Sequence, residues 1–157
     1  MKNIFAVLAI LIGTTLGIQG FADDTQLVHA TLATKEVSFF HQGIHSFYSC
    51  DYVQNETEKA LSALGARDAK VRCAGGLPYE SYTHVTASFK AIRETSADKS
   101  TMTAKMTSII LRHSDSCDLH EEILRNLLPA FEVYSKRVHS SCWDSQGDVE
   151  YDVTVLR

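Results

Sequence analysis

Seven histidines and four cysteines are the residues of this 157-residue chain best suited to chemistry. His41 and His45 are separated by three residues, a spacing that on a helix would place two imidazoles on one face as metal ligands. They lie instead in a stretch that reads as strand and turn, so neither a metal nor another cofactor is expected. His113 precedes Cys117 by four residues and His45 precedes Cys50 by five, so each of these cysteines has a histidine nearby. With neighbouring acids, either histidine could move a proton, and a small exported enzyme of unidentified reaction using His45 or His113 is the alternative reading of the chain. His29, His84, His120 and His139 are scattered and suggest no site by spacing.

Thiol chemistry is the second possibility. Cys50 and Cys117 stand just before Asp51 and Asp118, which read as helix N-caps, and a helix N-terminus lowers a thiol pKa. Neither cysteine belongs to a Cys-x-x-Cys motif, and each has a plausible disulfide partner, which removes the free thiol. The chain has no Gly-x-Ser-x-Gly elbow and no His-Glu-x-x-His, and Gly75-Gly76 is too short for a phosphate loop. No catalytic residue is therefore assigned, and a non-catalytic role is favoured.

The elements that would position these residues are written twice. Cys50 to Cys73 and Cys117 to Cys142 each open on Ser-Cys-Asp, continue in a helical pattern that ends at Leu-Gly-Ala or Leu-Pro-Ala, and close on a second cysteine after a strand-like run. The first helix carries Val53, Thr57, Ala60, Leu61 and Leu64 on one face, with Gln54, Glu56, Glu58 and Lys59 on the other. Asp51 with Gln54 suggests a capping box and Gly65 a left-handed stop; Asp118, Glu121 and Pro129 repeat these devices. Strands are expected over Ala69–Cys73, Tyr82–Ile92, Met102–Arg112, Phe131–Ser141 and from Val149 onward. Thr34–Ser49 reads as one strand bent at Gly43 or as a hairpin, preceded by a mobile polar arm over Asp23–Ala33.

This pattern predicts an α+β domain: two strand-helix-strand-strand repeats, residues 34–93 and 101–157, form a mixed, mainly antiparallel sheet with both helices on one face. The nearest named architecture is a ferredoxin-like element order. A helix crossover between parallel strands returns the chain to the same edge of the sheet, so Cys50 is expected to bond Cys73, and Cys117 to bond Cys142.

Residues 1–22 have a lysine, an apolar run of about fifteen residues, and Gly20-Phe21-Ala22, as a signal peptide would; bilayer spans need about 20. Cleavage before Asp23 would leave a single domain of 135 residues, residues 23–157, with the formal charge moving from −4 to −5. The expected product is exported, periplasmic or secreted, with no integral membrane segment after cleavage. No basic stripe suits nucleic acid. The partner is then an unidentified protein or small ligand. Its expected binding surface is the polar side of the sheet, where His84 and Lys90 alternate with buried residues, together with Phe47 and Tyr48 in the aromatic segment. Asn55-Glu56-Thr57 fits the glycosylation sequon and is placed on the exposed face of the first helix.

Overall fold

A computed structural model describes residues 27–42, 46–76, 81–143 and 146–157. Eight elements follow in order: β1 (Leu27–His41), α1 (Cys50–Ala63), β2 (Arg67–Gly75), β3 (Thr83–Glu94), β4 (Met102–His113), α2 (Cys117–Leu127), β5 (Val133–Ser140) and β6 (Val149–Leu156). Single 3-10 turns lie at Ala97–Lys99 and Leu128–Ala130. The fold is α+β, with the six strands in one sheet of order β2-β3-β1-β4-β6-β5. Every pairing is antiparallel, so the sheet is not mixed. β3 lies between β1 and β2, which separates the two strands joined by the helix crossover. The element order also departs from the β-α-β-β-α-β succession of a ferredoxin-like fold, because β4 stands between β3 and α2.

The first strand begins earlier than its composition suggests. Leu27–Ala33, expected as part of a mobile arm, belongs to β1, and Leu27–Ala30 pairs with Met102–Lys105 of β4. Val28, Ala30 and Leu32 are a short apolar alternation that gains its meaning from packing with Ile92, Ala104 and Leu156. β1 ends at His41 instead of continuing to Ser49, while Gly43 and His45 lie outside the described residues.

Both helices start before the expected aspartate caps. Ser49 caps α1, its hydroxyl accepting the Tyr52 N–H at 3.3 Å, and Ser116 precedes α2 in the left-handed region at φ 57°. Asp51 and Asp118 therefore lie within the first turns, where their charge complements the helix dipole. The stop signals act as expected. Gly65 takes φ +83°, with Gly65 N–H bonding Ser62 O and Ala66 N–H bonding Leu61 O, the paired closure of a Schellman motif. Pro129 sits in the 3-10 turn that ends α2.

The main core joins Val53 and Leu61 of α1, its C-cap Leu64, Leu119, Ile123 and Leu127 of α2, and Val85, Phe89, Val149 and Val153 of the sheet. Phe89 stacks on Phe131 with centroids 5.3 Å apart. Cys50 is bonded to Cys73 and Cys117 to Cys142, with Cα atoms 5.4 and 5.8 Å apart, the expected pairing, although Cys50 and Cys117 open α1 and α2 instead of closing the preceding strands. None of the four is a free thiol, which removes them as nucleophiles.

Candidate functional site

Three residues on α1 and its approach meet the start of α2 at four-residue intervals. Tyr48 donates its hydroxyl to Asp118 Oδ1 at 2.8 Å, Tyr52 donates to Ser116 Oγ at 3.3 Å, and Glu56 Oε2 lies 3.0 Å from His120 Nε2. Residues four apart share a helix face, so this stripe forms a second contact surface, turned from the sheet toward α2. The tyrosine rings stack at 5.6 Å. Glu56, expected on the wet face of α1, is only 7% exposed because α2 covers that face. Thr57 is also buried, its hydroxyl donating to Val53 O at 2.7 Å, so the threonine of the sequon faces inward.

The left-handed turn at Ser116 presents its carbonyl to the first turn of α2, where it accepts the His120 N–H at 3.1 Å and lies 2.9 Å from His120 Nδ1. A carbonyl only accepts, so Nδ1 carries the proton and the Nε2 edge faces Glu56. Lys59 Nζ donates to the other Glu56 oxygen at 2.7 Å. Burial would raise the Glu56 carboxyl, but hydrogen bonds from Lys59 and His120, and their charges, hold it below its usual range. His113, the last residue of β4, stacks on His120 with centroids 3.5 Å apart and planes 11° from parallel. Burial and the adjacent His120, opposed by Glu56, push the His113 imidazole down to about 4. One ligand atom from each of Glu56, His113 and His120 lies within 4.8 Å of the others, the one such trio of possible metal ligands among the described residues.

Sequence spacing singled out His113 but neither of its companions. The stripe Tyr48, Tyr52, Glu56 was the available signal for Glu56; nothing local pointed to His120. Of the other histidines weighed above, His45 lies outside the described residues, and neither His84 nor His139 joins His113. His41 is buried near Tyr48, with ring centroids 5.5 Å apart, and its Nε2 has no hydrogen-bond partner among the described residues. The cross-strand Thr83 hydroxyl shares that condition.

Burial lowers the His41 pKa against the fields of Asp118 and Glu122. Unfolded His41 takes up a proton near its ordinary value of about 6.5, whereas the folded form resists it to lower pH. Its contribution to stability is therefore complete above about pH 6.5 and declines as the pH falls below that value. In melting curves from about pH 8 to 5, His41→Phe is expected to lose less stability on acidification than the wild type. Parallel losses in both proteins would exclude His41 as a source of acid sensitivity.

The other candidate region is polar and open. His84 stacks on Phe40, with centroids 4.3 Å apart, and its Nε2 lies 2.8 Å from Ser38 Oγ. Phe40 is 62% exposed, with Tyr82 beside it at 6.4 Å. Alongside runs a shallow groove lined by Glu36, Ser38, Lys70, Arg72, Thr86 and Ser88. Lys90 pairs with Asp68 at 2.7 Å. Phe47 is exposed, whereas Tyr48 is partly buried against the core and fixed by Asp118, so only the first presents a free ring. No described helix is long and apolar enough to cross a membrane. No protein-family model, curated protein or solved structure matches the chain.

Proposed function

We propose that this protein is an exported, disulfide-stabilised, non-catalytic module that binds a protein or small ligand on the sheet face bearing Phe40, Tyr82 and His84. The observation carrying this reading is the exposure of Phe40 on the His84 ring beside a groove containing Lys70 and Arg72. Exposed aromatic surface next to adaptable polar groups is the usual composition of a recognition patch. Two disulfides are compatible with a periplasmic or extracellular location, as the apolar N-terminus suggests.

The same reading takes the halves as copies of one unit. In support, β2-β3-β1 and β5-β6-β4 have matching orders from either edge, and each half has one internal disulfide. Both helices on one side is the arrangement their shared core favours, because their buried residues join the odd-numbered residues of β3 and β6. His84, Thr86, Ser88 and Lys90 then belong to the opposite face, with Glu150, Asp152 and Thr154.

The test is affinity capture from the exported compartment with matched baits. Phe40→Ala is expected to weaken the captured complex about tenfold or more, with little change in melting temperature, because an exposed ring adds little to folding. Lys90→Glu probes the same face through charge. Wild-type affinity in both variants would remove this face as the binding surface.

A further inference from the structure

The pairing of Glu56 with His120 requires a positive charge between them. His120 Nδ1 is committed to the Ser116 carbonyl at 2.9 Å, leaving Nε2 opposite Glu56 Oε2 at 3.0 Å. In neutral imidazole with its proton on Nδ1, Nε2 is an acceptor, as is the carboxylate oxygen. Two acceptors at this distance need a proton or a metal ion. His113 brings a third ligand atom to the same point, and its ring makes no hydrogen bond among the described residues.

We propose that Glu56 Oε2, His120 Nε2 and a ring nitrogen of His113 form a site for one divalent transition-metal ion of the zinc or copper kind. Two imidazoles and one carboxylate suit borderline cations, whereas calcium and magnesium prefer all-oxygen surroundings. A tetrahedral zinc ion with ligand bonds of 2.0–2.1 Å sets donor atoms about 3.3 Å apart. The Glu56–His120 edge of 3.0 Å is close to that value, and the trio already lies within 4.8 Å. Tilting His113 out of its stack closes the remaining distance; it ends β4 and precedes a bend over residues 114–116 that can absorb the movement. The Ser116 carbonyl holds the His120 tautomer and orientation, as the outer partner of a zinc-bound histidine does. Lys59 takes the second Glu56 oxygen and leaves Oε2 to the ion, and its largely exposed side chain can move outward. Three protein ligands leave one position open to water or an exogenous ligand. This site is separate from the open sheet face, so either assignment can fail alone.

Zinc titrated calorimetrically into the chelator-treated, dialysed, oxidised full chain is expected to bind with one ion per chain. Glu56→Gln should keep the fold, because the amide can donate to His120 Nε2, but should lower zinc affinity about 100-fold or more. His113→Phe retains a ring in the stack and should lower affinity comparably, while His139→Asn leaves it unchanged. Circular dichroism establishes that each variant is folded; if Glu56→Gln is not, His113→Phe decides. Absence of zinc uptake by the wild type, or wild-type affinity in the folded site variants, overturns the proposal.

Discussion

A chain lacking both disulfides, through Cys50→Ala with Cys73→Ala and Cys117→Ala with Cys142→Ala, is expected to be largely unfolded at 25 °C. The bonds span sequence separations of 23 and 25 residues. Loop-closure entropy assigns each about 3.5 kcal/mol, so about 7 kcal/mol together, before native strain and residual structure reduce it. Domains of ordinary stability have only about 5–15 kcal/mol to lose. The second pair should cost more than the first, because Cys117 is fully buried in the main core whereas Cys73 is half-exposed at its border. Urea midpoints of the two paired variants and the quadruple variant measure these differences. A quadruple variant with the wild-type midpoint would show that the bonds do not staple the fold.

The second large effect is expected from Glu56→Ala. Truncation leaves the Nε2 edge of His120 buried without its partner and opens space between α1 and α2. Leaving a buried polar group without its hydrogen-bond partner costs about 1–3 kcal/mol, and the space left between the helices adds to that loss. Glu56→Gln should cost under about 1 kcal/mol, since the neutral histidine can accept from the amide and the shape is kept. Denaturant midpoints measured in chelator separate the two variants. A loss below about 0.5 kcal/mol for the alanine variant would show that the pair contributes nothing to the helix contact.

Partner recognition and metal binding make different demands on these structures. The open face has exposed rings beside charged side chains, while the helix pair holds the His120 imidazole in place behind a tyrosine-lined contact. Binding at the first can change without refolding, but changes at Glu56 or His120 act on packing as well as on ligation. Comparing alanine with glutamine at position 56 separates those contributions.

The disulfide pairing was legible in the sequence because it follows from local order: a strand, a helix crossover and a second strand bring their cysteines to one edge of the sheet. The helix stops at Gly65 and Pro129 were also local, set by a left-handed residue and by a ring that prevents helix continuation. Alternation located β3 and β6, since one face of each packs into the core. It did not give β1 its true start, because the alternation Val28, Ala30 and Leu32 is brief and is completed only by pairing across to β4 and packing on Ile92, Ala104 and Leu156. The candidate metal site depended wholly on tertiary structure. Periodicity identifies the helix face that meets a sheet, but α1 has a second covered face, and residues 64 positions apart, Glu56 and His120, become partners only when α2 packs against it. Burial then takes both groups out of water, so that each depends on the other for its polar contact.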